Sequence, residues 1–415
     1  MTELIEKARA AKMVSYELAR SSDETRKKGL TLMAKGLLDR SKEILEANKR
    51  DVEEFKAYNP GSPLVDRLLL NDERLKECAD GLIKIASLHD PIGEVVEGWR
   101  TKVGLEIVKV RVPIGVLGAV FEARPNVTVD ISGLALRSGN TCILRGGSEA
   151  LNSNIKIVEV LKSSLGDVLP KEVIQIIVSK DRAIVDEMLK LNDYIDVIVP
   201  RGSASFIKYV RDRATVPIIE TGAGNNHIFV NWDADFEVAN RIILNAKVQR
   251  PTVCNAVRKI LVHEQIAEKY IPLLVSEMRK HSVFIKGDSK TQEIVKNVVP
   301  ATEKDWYEEY MDLTLAIKVV GSVEQAVEHI NKYGTRHSDC IITKNIDEAK
   351  YFTWNVDSAC VYVNASTRFT DGAEFGFGAE VGISTQKIHA RGPMGLRELT
   401  TTKYIINGSG QIREL

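Results

Sequence analysis

In QRPTVCNAVRK, residues 249–259, Cys254 lies between Val253 and Asn255, with Arg250 and Arg258 four residues to either side. Buried cysteines usually serve as small apolar fillers, whereas a cysteine near positive charge keeps its thiolate at neutral pH, and the thiolate is the nucleophile. A cysteine that attacks a carbonyl also needs donors for the oxyanion that forms. FEARPNVTVD (121–130) offers Asn126, which follows Pro125 at the exit of an apolar run. An asparagine in that place also suits a plain helix cap. Glu220 ends VPIIE just before glycines and is either a base or a solvated turn residue.

A second chemistry is suggested by TCILRGGSEA (141–150), where a strand ends in Arg145 and is followed by Gly146, Gly147 and Ser148. With Ser148 capping the next helix, a strand end, a glycine turn and a helix N-terminus make an anion site; the bland reading is an ordinary βα turn. VPRGSASF (199–206) repeats the arrangement with Arg201, Gly202 and Ser203. Two such turns in one sheet suit a phosphorylated dinucleotide. GAGNNH (222–227) and GFGAEVG (376–382) are near misses to G-x-G-x-x-G, carrying His227 and Val381 at the sixth position. HEQIA at His263 lacks the second histidine of H-E-x-x-H, and the other His and Cys residues have no ligand spacing, so no metal is expected.

These residues need a scaffold. The 415-residue chain, 44% hydrophobic and 27% charged, is long enough for two or three domains. Its 57 basic and 57 acidic residues leave no net field for nucleic acid, and a small-molecule substrate is expected. The longest apolar run, Val112–Phe121, is too short to span a bilayer. The acidic MTELIEK start does not read as a signal peptide, and five scattered cysteines suit a reduced, cytoplasmic protein.

The first ninety residues read as helices, with Leu4, Ala8, Ala11, Val14 and Leu18 on one face and Ser21 and Glu24 as a capping box for the next helix. Alternation of Val108, Val110 and Val112 with Lys109 and Arg111 predicts a two-stranded ribbon turning near Thr101–Gly104. It is either a subunit contact or a surface hairpin. From Gly115, strands at Val116–Phe121, Thr141–Leu144, Val173–Ile177, Ile195–Val199 and Pro217–Ile219 alternate with helices. A second series follows, with strands at Lys259–Val262, Leu315–Val319, Asp339–Ile342 and Ala359–Val363. The pattern predicts α/β architecture with two doubly wound lobes.

VPIGVLGAVFEARPN, SGNTCILRGGSEA, IETGAGNNHIFV, QRPTVCNA and SACVYVNASTRFTDGAEFGFGAEVGIST together resemble the gamma-glutamyl phosphate reductase family over essentially the whole chain. More distantly the chain is similar to the aldehyde dehydrogenase superfamily. The resemblance implies an aldehyde dehydrogenase-like fold: a cofactor domain of residues 1–96 and 114–230, a catalytic domain of 231–363, and an oligomerising hairpin and C-terminal region of 97–113 and 364–415. It implies that Cys254 is the nucleophile and Asn126 the oxyanion donor, and that Glu220 matches the glutamate that activates water in hydrolytic members. RGGS replaces the superfamily's K-P-x-E, and Ser148 in place of the glutamate favours NADPH, although Glu149 stands next to it. Arg145, Gly147, Ser148, Gly202 and Ser203 are then expected at the cofactor. Arg124, Arg250, Glu220 and the loop 371–384 are expected near the substrate, and Glu309 is the nearest match to the glutamate that holds the nicotinamide ribose. The implied reaction is NADPH-dependent reduction of L-glutamyl 5-phosphate to L-glutamate 5-semialdehyde and phosphate, through a cysteine thioester, in proline biosynthesis. Its rival is a hydrolytic aldehyde dehydrogenase acting on a small semialdehyde. A homo-oligomer, dimer or tetramer, is also implied.

Overall fold

Alternating apolar strands and amphipathic helices build two parallel sheets in a computed structural model that describes residues 2–60, 62 and 64–413. The chain divides into two compact units: residues 1–220, 376–382 and 394–415 form the first, and residues 221–375 and 383–393 the second. This division falls after Glu220, ten residues before the boundary drawn from sequence, and it places the ribbon in the first unit.

The first unit's sheet orders its strands Ile174–Ile176, Thr141–Gly146, Val116–Phe121 and Val197–Arg201, all parallel. The chain starts in the third of these, builds outward to one side, then crosses to the other. The change of direction falls between Val116–Phe121 and Val197–Arg201, and ligands of open α/β sheets bind beyond the strand carboxyl ends at such a point. Val116, Val120, Ile143 and Ile198 pack on one face against Leu4, Ala8 and Ala11 of the first helix, Glu3–Arg20. Helix Pro125–Arg137 starts with proline at its first turn, a position where the missing N–H costs nothing. The predicted strand Pro217–Ile219 reduces to a single bridge, Ile198 to Ile218. The capping residue of helix Asp23–Asp39 is Ser22, whose Oγ accepts from Thr25 N–H; Ser21 instead closes the preceding helix.

The ribbon, Val95–Arg100 with Glu106–Pro113, turns where predicted but has three strands, because Thr400–Asn407 pairs antiparallel along the second. TTTKYIIN carries the β-branched residues a strand favours.

The second unit holds a seven-stranded parallel sheet in the order Val299–Pro300, Phe284–Gly287, Thr314–Val320, Val257–His263, Asn226–Val230, Ser338–Ile342, Cys360–Val363. Period-two alternation sends Ile228, Val230, Ile260 and Val262 to one face, against helices Phe236–Val248 and Glu264–Lys280. Phe229, Leu261 and Ile341 go to the other, against Val323–Tyr333 and Ile346–Asn355. Both faces are covered, as a parallel sheet requires. No helix of the described residues is long and apolar enough to cross a membrane.

Candidate active site

Cys254 sits on the loop Gln249–Ala256, between helix Phe236–Val248 and strand Val257–His263, so it lies at the amino end of its strand. None of the five cysteines forms a disulfide, and four are buried. Burial pushes the Cys78, Cys142 and Cys340 thiols up to about 12, which makes them inert at neutral pH. Cys254 is half-buried and interacts electrostatically with two guanidinium groups, Arg258 and Arg368.

Arg258 is one of the flanking arginines that the sequence singles out. It is fully buried, and its Nη1 and Nη2 donate to the Pro251 and Val253 carbonyls at 2.9 and 2.8 Å. The side chain therefore braces the loop from behind. Glu309 lies 3.8 Å away and offsets part of its charge. Burial pulls Arg258 below the usual guanidinium range, while Glu309 and Cys254 raise it. Beside it, Lys247 is buried with no partner for Nζ among the described residues, and burial together with Arg258 brings it down to about 7.

The GAGNNH turn is built around this loop. Gly224 N–H donates to Glu309 Oε1 at 2.8 Å, and Asn226 Nδ2 donates to the Cys254 and Ala256 carbonyls at 2.7 and 2.9 Å. Gly224 is glycine because a Cβ there would lie 1.4 Å from the Cys254 carbonyl oxygen. The motif thus packs the Cys254 loop and is not a dinucleotide turn. Glu309, the ribose candidate, is committed to Gly224 and Arg258.

Arg368 was not anticipated. It belongs to the short turn Thr367–Phe369, which is fastened to Asn255 on every side: Thr367 Oγ1 donates to Asn255 O at 2.7 Å, and Asn255 Nδ2 donates to Thr370 O at 2.9 Å. Arg368 Nη1 in turn donates to Asn255 Oδ1.

On the first unit, Asn126 follows Pro125 at the head of its helix and makes no cap. Its Nδ2 donates to Asp130 Oδ2 at 3.1 Å, one turn on, which orients the amide and leaves its second N–H for another acceptor. Burial pushes the Asp130 carboxyl up to about 6, against the pull of Asn126 and Arg201. A folded value above the ordinary 3.8 means stability is complete below that value and declines as pH rises through 6. Asp130→Asn, which keeps the acceptor, is therefore expected to gain on the order of 1–3 kcal/mol at pH 8. The gain should vanish below about pH 4, and denaturant titrations at the two pH values check it. A gain of equal size at both would refute the assignment.

The two glycine turns carry corrections. Ser148 opens a short turn, Ser148–Ala150, and makes no cap bond to the helix Leu151–Ser164. The N–H groups of Asn152 and Ser153 are taken by the Asp51 carboxylate, at 3.2 and 2.7 Å, from helix Ser41–Tyr58. That N-terminus already has its anion. Glu149 reaches back to Ala123 N–H at 2.7 Å, fixing a residue at φ 33° just before Asn126. A Cβ on Gly147 would strike that carboxylate at 2.1 Å. Arg145 is 6% exposed; its Nη1 donates to Gly146 O, and its Nε has no partner among the described residues. Burial lowers it, Glu149 opposes, and the like charge of Arg182 adds to the lowering. At the second turn Ser203 caps helix Ala204–Arg213 through Phe206 N–H, while Ser203 N–H donates to Glu122 Oε2 at 2.7 Å. Glu122 follows the central strand, so this contact lies where the sheet changes direction. Glu220 is ion-paired with Arg211 at 3.2 Å. Arg124 is exposed and lies on the first unit, whereas Arg250, also exposed, belongs to the Cys254 loop.

The doubly covered sheets and the braced cysteine define a class: the chain belongs to the aldehyde dehydrogenase family, whose model matches residues 4–316. Within it, the chain belongs with the gamma-glutamyl phosphate reductases. It is 51% identical to the gamma-glutamyl phosphate reductase of Dictyoglomus thermophilum over 415 residues, covering 100% of both chains. The crystal structure of gamma-glutamyl phosphate reductase from Thermotoga maritima matches at TM-score 0.98 and 51% identity, again over 100% of each chain. An engineered glycolyl-CoA reductase with bound NADP+ shares the fold at 15% identity and TM-score 0.70, covering 97% of this chain and 96% of that one.

Proposed function

We propose that the chain reduces L-glutamyl 5-phosphate to L-glutamate 5-semialdehyde and phosphate with NADPH, through a thioester on Cys254, as a step of proline biosynthesis. The observation that supports this best is a single half-buried thiol within electrostatic reach of Arg258 and Arg368 while three of the other cysteines are held as inert thiols. Two cations favour the thiolate over the thiol. The thiolate attacks the acyl carbon, an Sγ–C bond forms, and the C–O bond to phosphate breaks with its electron pair leaving on phosphate. In this reading the Asn126 amide, oriented by Asp130, receives the oxyanion. NADPH, when bound, would supply the hydride that reduces the thioester carbon. Collapse of the resulting thiohemiacetal returns the thiolate and frees the aldehyde.

For the cofactor, Arg145 fits an anion: it is a buried guanidinium with an unsatisfied Nε and a like-charged neighbour in Arg182. A 2′-phosphate would answer both, which supports NADPH over NADH. Gly147 and Ser148 stand beside it. Glu149 does not compete for the ribose, being bonded to Ala123 N–H. Gly202 and Ser203 are assigned to the pyrophosphate on their position, where the sheet changes direction; the Ser203 N–H itself is taken by Glu122 Oε2. Glu220, paired with Arg211, is a poor base for water, and a water-activating carboxylate would waste the thioester. The exposed Trp99, Ile405 and Ile406 on the three-stranded sheet support assembly into a homo-oligomer. Free thiols suit a cytoplasmic setting.

The reaction run backwards separates this reading from a hydrolytic dehydrogenase. With glutamate 5-semialdehyde and NADP+ in phosphate-free buffer, one burst of NADPH per active site is expected, and then none. Added phosphate should restore steady turnover and saturate, and NAD+ should serve far less well. Steady NADPH production without phosphate, yielding glutamate, would establish the hydrolytic alternative.

A further inference from the structure

Two arginines are associated with the Cys254 loop, Arg250 within it and Arg368 bonded to it, and neither forms an ion pair with a carboxylate among the described residues. Arg368 spans the loop from end to end: its Nε donates to Gln249 Oε1 at 3.0 Å, and its Nη1 donates to Asn255 Oδ1. Cys254 and Arg250 lie between those anchors in sequence. Among the described residues, Arg368 Nη2 has no hydrogen-bond partner, and neither Arg368 nor Arg250 has an acidic oxygen within 4.0 Å. The nearest acidic groups act only at a distance. Asp371 Oδ1 accepts from the Ala373 N–H at 2.8 Å, within its own turn. Arg250 disfavours the charge on Arg368, as does burial, whereas Asp371, Cys254 and Glu374 favour it.

A guanidinium held on the loop that carries a second arginine, close enough to feel its charge and with Nη2 left open, suits an anion. On the reading that the substrate is an acyl phosphate, chemistry chooses which anion. The phosphate is joined through one oxygen to the carbon that Cys254 attacks, so it must lie beside the thiolate. The α-carboxylate is four carbons away from that carbon. Charge argues the same way, since one guanidinium balances a carboxylate whereas a phosphate monoester carries close to two charges. The leaving group also gains a charge as the C–O bond breaks, until it takes a proton from solvent. Donors fixed where charge develops act on the transition state and not only on binding.

We propose that Arg368 and Arg250 form the phosphate subsite, holding the phosphoryl group of the substrate and stabilising the phosphate as it leaves Cys254. Arg258, turned to the loop carbonyls behind the cysteine, keeps a bracing role.

The test reads phosphate binding without turnover, by the rate at which iodoacetamide alkylates Cys254. Inorganic phosphate should slow alkylation of the native chain saturably, while glutamate, which offers carboxylates alone, should do so through other residues. Arg368→Gln should weaken protection by phosphate roughly tenfold or more and leave protection by glutamate near its native concentration. Because Arg368 also braces Asn255, Arg250→Gln serves as the second variant. Arg250 makes no side-chain hydrogen bond among the described residues, so its loss should weaken phosphate without disturbing the loop. Unchanged phosphate protection in both variants would overturn the proposal. So would a selective loss of glutamate protection, which would make the pair a carboxylate site. Steady aldehyde oxidation without phosphate would instead refute the reductase reading, and the protection assay would still report whether the subsite exists.

Discussion

Cys254→Ala is expected to fold, to retain NADPH binding, and to lose at least about four powers of ten in turnover. In barrier terms that is on the order of 5 kcal/mol, far more than a structural cysteine contributes. The fold should survive because the position is fixed through its backbone: the Cys254 carbonyl accepts from Asn226, and the flanking carbonyls accept from Arg258. None of these bonds needs sulfur. The loss should be of chemistry, so it should appear in the first turnover as well as in steady state. Intact-protein mass spectrometry gives the sharper readout. With semialdehyde and NADP+ but no phosphate, the native chain should accumulate one acyl adduct and the alanine variant none. Retention of more than about a tenth of native activity, roughly 1.4 kcal/mol, would remove Cys254 as the nucleophile.

That cysteine was legible because its neighbours are charged and polar, and apolar fillers are not placed so. The long apolar strands were legible for the opposite reason. Asn226–Val230 was passed over because it opens with Asn226 and His227, which look like loop residues. Both are buried and tied to distant parts of the chain: Asn226 Nδ2 donates to the Cys254 and Ala256 carbonyls, and the His227 backbone N–H donates to Asp339 Oδ1. The glycine turns show the same blindness. Spacing reveals a helix N-terminus that wants an anion, but not that Asp51, about a hundred residues earlier, already supplies one. Arg368 was hidden in the same way, since its distance from Cys254 in sequence is closed by the bonds of the Thr367–Phe369 turn to Asn255 and Gln249. The sheet rule also has a limit. It points to strand carboxyl ends, which suits Glu122 and Ser203, whereas Cys254, Gly224 and Glu309 all precede strands of the second unit.

Gly224→Ala should cost activity nearly as surely as removing the thiol, although it leaves every reactive group in place. The added Cβ would lie 1.4 Å from the Cys254 carbonyl oxygen, 2.4 Å from its carbon and 2.9 Å from its Cα. All three are backbone atoms, so no side-chain rotation relieves the clash. Yielding on one side breaks the bonds of Gly222 N–H to Ile383 O, Gly224 N–H to Glu309 and Asn225 N–H to Thr335. Yielding on the other breaks the Asn226 and Arg258 bonds that hold the Cys254 loop. Either way the thiolate moves by an ångström or more, and displacement of that size costs about a hundredfold in rate or more. Gly222→Ala is the control, because the atoms nearest its Cβ would be those of the Thr385 side chain, from 2.2 Å, and not backbone atoms of the Cys254 loop. Steady-state rates of the two variants, with iodoacetamide labelling to confirm that the Gly224→Ala thiol is present, check the expectation. A Gly224→Ala chain as fast as Gly222→Ala would show that the loop can shift without carrying the sulfur along, and that tight backbone contact is not what places Cys254.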